Sequence, residues 1–305
     1  MSPEELLDAH PGATVLTLDF FDTLVTRSLA QPTHLFAVIE EELVRIEGER
    51  WRGYAARRVG AERRARVSLA HDGTGADITL DDIMRELATD LDLSVPERER
   101  LAVLECDTEV SHAVAVPFGR ALLAAAVAKG MRVVVVSDNY MASSHLVRMA
   151  GAAGIDITGL EVYVSCEHGA MKHDGGLWKV VLAGTGVSPA EVLHVGDLDD
   201  ADGEVPARFG IAVHVEDSMR RSHREPLNTC PSVLPLSRME AAQRDRSAGA
   251  AWDCADNLAR GALAIVTAAQ VHDVATAARR SGAVAVHFLA RDGENAKWVY
   301  DRLRE

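Results

Sequence analysis

Val15-Leu16-Thr17-Leu18-Asp19-Phe20-Phe21-Asp22-Thr23-Leu24 is the stretch on which the fold turns. A short β-like burst, preceded by the turn-type pair Pro11-Gly12, runs straight into an aspartate. The same grammar recurs downstream. A helix over 118–128, closed by Lys129-Gly130, leads into Met131-Arg132-Val133-Val134-Val135-Val136. That continuous β-branched run suits a parallel strand buried on both faces. Further short strands read at 162–164, 192–195 and 211–214, each separated by a helix or turn. This rhythm predicts an α/β fold, a doubly wound parallel sheet with helices on both faces.

Between the first two strands the pattern changes. Leu35, Phe36, Ile39, Leu43 and Ile46 recur at helical spacing. An arginine-rich helix follows over 51–69, then a loop at His71-Asp72-Gly73-Thr74-Gly75. Thr79 is placed to cap the next helix, and Pro96 to sit in the first turn of another. The expected division is therefore an α/β core from 1–26 and 115–230, an inserted all-helical cap over 27–114, and a helical C-terminal appendage over 231–305. The appendage opens on a linker at 230–237 with Pro231 and Pro235. It ends in a partial βα unit, a strand over 284–289 before Arg291-Asp292-Gly293, which reads as a turn. That strand has no partner in its own segment. It must join the main sheet, pair with another chain as a homodimer contact, or begin a further domain.

The formal charge is −14, with 48% hydrophobic and 26% charged residues. Without a basic surplus, the chain is not expected to bind nucleic acid or an anionic membrane surface. No apolar run reaches the ~20 residues of a membrane span. The acidic start Met1-Ser2-Pro3-Glu4-Glu5 has the wrong sign for a signal or transit peptide. Cys106, Cys166, Cys230 and Cys254 show no CxxC pairing and read as reduced thiols, so a cytoplasmic location is expected. Lysine is scarce: only Lys129, Lys172, Lys179 and Lys297 stand beside the arginines.

In open parallel sheets, ligands lie at the carboxyl ends of the strands. After the first strand comes Asp19, and after the second Ser137-Asp138-Asn139. Ser165 and, further on, Lys172 follow the third. Gly196-Asp197 follows the fourth, then Asp199, Asp200 and Asp202. Carboxylates suit a hard cation such as magnesium. Lysine and hydroxyl donors suit phosphoryl oxygens. An aspartate can attack phosphorus and form an aspartyl-phosphate.

In their order and setting, Asp19-Phe20-Phe21-Asp22-Thr23-Leu24, Val136-Ser137, Lys172 and Gly196-Asp197 with Asp202 resemble the four motifs of the haloacid dehalogenase superfamily, over roughly residues 14–215. More narrowly, Asp-x-Phe-Asp-Thr-Leu and Ser137-Asp138-Asn139-Tyr140 resemble a sparsely characterised group of predicted hydrolases. Longer members of that group carry an Arg-Asp-Gly segment like 291–293, so a C-terminal domain present only in part is implied. The resemblance implies that Asp19 is nucleophile and magnesium ligand, with Ser137 and Lys172 as the other catalytic groups. Asp19, the Phe21 backbone carbonyl, Asp197 and Asp202 would hold Mg2+. Thr23, Asp138, Asn139 and Arg58 are expected at the substrate, a small phosphorylated metabolite.

One departure matters. Superfamily phosphatases usually carry a general acid two residues after the nucleophile, where this chain has Phe21. Losing such a group costs ~10²–10⁴-fold in rate. Three readings stay open: a magnesium-dependent phosphohydrolase, a dehalogenase-like hydrolase of a non-phosphate bond, and a catalytically impaired binding or scaffold protein. On the predicted cap helix, Arg58, Glu62 and Arg66 recur every fourth residue. They form either an exposed ion-pair ladder or a set of arginines that read an anionic substrate. His34, His112 and His173 show no ligand spacing.

Overall fold

The computed structural model describes residues 1–72, 77–216 and the single position Val274. The linker at 230–237, the strand over 284–289, Arg291-Asp292-Gly293, Cys230, Cys254 and the homodimer contact lie outside the described residues. So do Gly73, Thr74 and Gly75 of the expected loop.

The chain opens with α1 (Pro3–Asp8), capped reciprocally by Ser2 and Glu5. β1 (Val15–Leu18) follows, then β2 (Val25–Arg27). The cap helices are α2 (His34–Glu47), α3 (Tyr54–Asp72), α4 (Leu80–Leu91) and α5 (Val95–Ser111), with a 3-10 turn at Glu49–Trp51. β3 (Ala113–Ala115) returns to the core. There α6 (Pro117–Ala128), β4 (Arg132–Ser137), α7 (Ser143–Ala152), β5 (Glu161–Val164), α8 (Ser165–His168) and α9 (Gly176–Thr185) follow. Last come β6 (Val192–Gly196), a π-helical turn over Asp199–Glu204, α10 (Val205–Arg208) and β7 (Ala212–Val215).

The main sheet is parallel throughout, in the order β5-β4-β1-β6-β7. Its central strands separate their side chains by the two-residue period of a pleated strand. Leu16, Leu18, Val133, Val135, Leu193 and Val195 pack on one face with α1, α6 and α7. Val15, Val134, Val136 and Val192 pack on the other with Leu177, Trp178 and Val181 of α9. The continuous apolar reading of β4 thus has its expected cause, burial on both faces.

Sequence patterning misses β2 and β3. They pair antiparallel, Val25 opposite Ala115 and Arg27 opposite Ala113, and so form the stem from which the cap helices rise. The cap has its own core of Leu35, Phe36, Ile39, Leu43, Trp51, Tyr54, Ile83, Met84, Leu87 and Leu101. Ile46, expected on that apolar face, is exposed instead, in the last turn of α2, which ends at Glu47 with Gly48 as its cap. The arginine-rich helix begins at Tyr54 rather than Trp51, and it runs on through His71 and Asp72, which had been expected in a loop. Thr79 caps α4 in a reciprocal box with Asp82, and Pro96 lies in the first turn of α5. Among the described residues, no helix is long and apolar enough to cross a membrane.

Candidate active site

β1 delivers Asp19 at its carboxyl end, next to β4 and β6 in the middle of the sheet. The backbone there is fixed by Asp19 N donating to Val195 O at 2.9 Å. The chain then reverses tightly. The Phe20 carbonyl accepts from both Leu24 N and Val25 N, each at 2.9 Å. Asp22 takes a left-handed backbone, φ 56°, which an aspartate tolerates better than most residues. Its Oδ1 accepts from Thr26 Oγ1 at 2.6 Å. Gly119 in the first turn of α6 closes over this loop. A Cβ there would lie 1.9 Å from the Thr23 carbonyl oxygen, so only glycine lets the helix approach. The Thr23 hydroxyl is buried with no hydrogen-bond partner among the described residues.

Lys172 enters from the segment between α8 and α9. Its Nζ donates to Asp19 Oδ1 at 2.5 Å and to Asp202 Oδ1 at 2.6 Å, and its side chain is nearly sealed from solvent. Asp202 sits in the π-helical turn. Its Oδ1 also accepts from His194 Nε2 at 3.1 Å, and its Oδ2 from Leu198 N at 3.1 Å. The carboxyl lies flat against Gly196, where a Cβ would come within 2.3 Å of Asp202 Cγ. This close approach explains the glycine before Asp197. Asp19, Asp197 and Asp202 each bring an oxygen within 4.8 Å of the others.

The electrostatics follow from three carboxylates crowded against one ammonium. Burial raises the Asp19 carboxyl well above the ordinary range; Lys172 pulls it down, while Asp202 and Asp197 push it further up. Burial also raises Asp202, but Lys172 and the His194 bond outweigh it and hold that carboxyl well below the usual range. Lys172 loses solvation, yet Asp19, Asp202 and Asp138 keep it protonated. Burial lowers the His194 pKa. On the other side of the ring, Nδ1 lies 2.9 Å from Thr17 Oγ1, which can donate to it or accept from it, and 3.1 Å from the Thr17 carbonyl oxygen, which can only accept.

The structure brings together Asp19, Lys172, Asp197 and Asp202, with Ser137 buried at the end of the neighbouring β4. Asp138 and Asn139, expected at the substrate, each hold a loop. Asp138 Oδ1 accepts from Lys172 N at 2.7 Å, and Asn139 Oδ1 from Met141 N at 2.7 Å. Burial raises the Asp138 pKa, against the pull of Lys172. Phe21 lies edge-on to Phe20, with the Arg27 guanidinium 3.9 Å above its ring. Arg27 is itself held by Glu109 through two hydrogen bonds, at 2.7 and 2.8 Å. Asp199 and Asp200 are exposed.

Arg58 is the correction. It does not reach for substrate. Its side chain is fully buried, forked onto Glu105 at 2.6 and 2.7 Å, and stacked over Phe36 and Tyr140. A buried guanidinium persists only when paired, and Glu105 is that pair. Sequence reasoning also missed His194 and Thr17. The available signal was a polar residue at an inward position of each buried strand.

No family model matches the chain. No curated protein matches it either. Solved structures do. A defluorinating L-2-haloacid dehalogenase aligns with a TM-score of 0.50 at 17% identity, over 70% of this chain and 86% of its own. A 2-haloacid dehalogenase from Pseudomonas syringae pv. Tomato DC3000 gives 0.48 at 16%, over 73% and 96%. A HAD family enzyme from Bacteroides thetaiotaomicron, in complex with magnesium and inorganic phosphate, gives 0.45 at 14%, over 70% and 96%. With its central β1, its parallel order and its helical insertion after the first strand, the described part of the chain has the haloacid dehalogenase-like fold.

Proposed function

We propose that the chain is a magnesium-dependent hydrolase of a small phosphorylated metabolite, acting through an aspartyl-phosphate on Asp19. One observation carries this reading: Asp19, Asp197 and Asp202 converge within 4.8 Å around a single lysine. An all-oxygen set of three carboxylates is the donor chemistry of a hard divalent cation. The charge balance points the same way. Three carboxylates against one ammonium would repel a phosphate dianion, and a divalent cation reverses that sign. Magnesium held by Asp19, Asp197 and Asp202 would supply the positive charge that draws the phosphoryl group in.

The chain's own residues do the rest. Lys172 holds the Asp19 carboxylate in place and neutralises phosphoryl oxygens as negative charge builds on them. Ser137, at the end of β4, donates to a further phosphoryl oxygen. An Asp19 oxygen forms a bond to phosphorus as the bond to the leaving oxygen breaks. Water then cleaves the acyl phosphate, releasing phosphate and restoring the carboxylate.

Phe21 supports a second reading. Its apolar ring, pinned under Arg27, stands two residues from the nucleophile. Attack of Asp19 on a carbon–halogen bond would need no metal, and halide would leave without a proton. One panel of assays separates the two. Phosphate release from phosphomonoesters is expected with millimolar magnesium, to vanish with chelator, and to be lost in Asp19→Asn. Metal-independent halide release from a 2-haloacid selects the second reading. Phosphate release that survives in Asp19→Asn overturns the mechanism.

A further inference from the structure

The two ends of the α3 ladder are anchored in different places. Arg58 is locked to Glu105 inside the cap, and Glu62 bridges Arg58 to Arg66. Arg66 Nη1 then donates to Asp77 Oδ1 at 3.0 Å. Asp77 lies in the segment leading into α4, and its side chain is buried. Its Oδ1 also accepts from Ile78 N at 2.8 Å, and its Oδ2 accepts from Ser165 Oγ at 2.6 Å.

Ser165 belongs to the core, immediately after β5. Its oxygen accepts the Asn139 N–H at 2.8 Å. The neighbouring residue, Asp138, accepts the Lys172 N–H, and Lys172 Nζ reaches Asp19. An unbroken chain of hydrogen bonds and adjacent residues therefore runs from a cap arginine to the nucleophile. Two further contacts grip the same loop from the cap. Leu80 N donates to Tyr140 O at 2.9 Å, and the Arg58 guanidinium stands 5.2 Å over the Tyr140 ring.

We propose that Asp77 is a positioning residue of the active site: through Ser165 and Asn139 the cap sets the loop over 138–142, and with it Lys172. The link from Lys172 to turnover rests on the function proposed above; the mechanical link does not. Displacing a catalytic group by about 1 Å costs up to ~10²-fold in rate, so a loosened loop would lower kcat more than it alters KM.

The test uses the full chain in four single variants: Asp77→Ala, Asp77→Asn, Ser165→Ala and, as a control, Arg64→Ala. Among the described residues, Arg64 makes ion pairs only within the cap, to Glu86 and Asp90. Amide hydrogen exchange is followed at 138–142 and 171–173. Asp77→Ala and Ser165→Ala are expected to speed exchange there about tenfold, as local opening becomes easier. Asp77→Asn, which keeps an acceptor for Ser165, restores most of the protection, and Arg64→Ala leaves it unchanged. With magnesium and a phosphomonoester that the wild type turns over, kcat falls by about ten- to a hundredfold in the two alanine variants, with KM little changed. A fifth protein, the double variant Asp77→Ala/Ser165→Ala, falls no further than either single one, because both substitutions interrupt one path. Faster exchange confined to 77–80, or losses that add, would overturn the proposal. If Asp77→Ala does not fold, Ser165→Ala tests the same link from the core side. If the wild type releases no phosphate, the functional reading fails, and exchange at 171–173 still decides the relay.

Discussion

Replacing Lys172 with methionine removes the one ammonium from the carboxylate cluster while keeping most of the side-chain volume. Lys172 Nζ touches Asp19 and Asp202, and both partners are shut off from water. Deleting one member of such a buried pair costs about 3–5 kcal/mol, because the charge left behind is uncompensated. For a fold of 150–250 residues, each kcal/mol moves Tm by about 2–4 °C, so the expected drop at neutral pH is roughly 6–20 °C. The sign of its pH dependence follows from the groups that remain. The folded pKa of Lys172 is raised, so its own contribution is fully present below its unfolded value of 10.5 and constant through the acidic range. Asp19 is already pushed above the usual carboxylate range, and without the lysine it takes up a proton more readily still. The Tm gap to wild type should therefore narrow as pH falls from neutral toward 5. Magnesium should raise the Tm of the variant more than that of the wild type, since no ammonium then competes for the same oxygens. Thermal unfolding followed by circular dichroism at two pH values, with and without magnesium, measures all of this. A Tm drop under about 2 °C, or a gap that widens on acidification, would refute the charge balance argued for the site.

Gly119→Ala drives a methyl into the Thr23 carbonyl, a backbone atom that cannot swing away. Thermal unfolding should show a loss of about 1–3 kcal/mol, the usual scale of overpacking. Gly12→Ala, with open space around the added carbon, should leave Tm unchanged. His194 is buried with its pKa lowered by burial, so the stability tied to its neutral form is present above its unfolded value of 6.5 and lost as pH falls below that. The loss can reach about 1.4 kcal/mol per pH unit. In His194→Gln the slope of Tm against pH between 6.5 and 5 should flatten, and parallel profiles for the two proteins would show that His194 does not titrate in this range.

The strands and the residues at their carboxyl ends were legible because both depend on local order. An apolar run that stops at Asp19, Ser137 or Asp197 states where a buried strand meets the site, and parallel topology gathers those ends. The β2–β3 stem was not legible. Three residues show too little periodicity, and the partner of Val25 is Ala115, on the far side of the whole cap. The loop-bracing bonds of Asp138 and Asn139 were not legible for a related reason. A short polar residue at a strand end can face a ligand or brace a neighbouring loop, and which it does is set by Lys172 N and Met141 N, neither of which its own strand determines.

Arg58 shows where sequence spacing stops being informative and what could replace it. Arg58, Glu62 and Arg66 repeat at one interval, yet their side chains are 0%, 25% and 45% exposed. The repeat fixes only that they share a helix face. It says nothing about how deeply each end is sunk, which is decided by Glu105 and Asp77 from other segments. The opposing helix held the missing signal. Leu101, Glu105 and Glu109 fall at successive fourth residues of α5, so an apolar stripe carries two glutamates one turn apart. Two like charges on a buried stripe repel each other and lose their hydration, a cost that only paired cations offset. Such a stripe requires two arginines from elsewhere in the chain. Arg58 meets Glu105, and Arg27, from the stem strand, meets Glu109. The second pair pins Phe21 beside the nucleophile. The glutamates of α5 thus tie the cap and its stem to the loop that carries Asp19, and the requirement for them is written in α5, not in the arginine repeat.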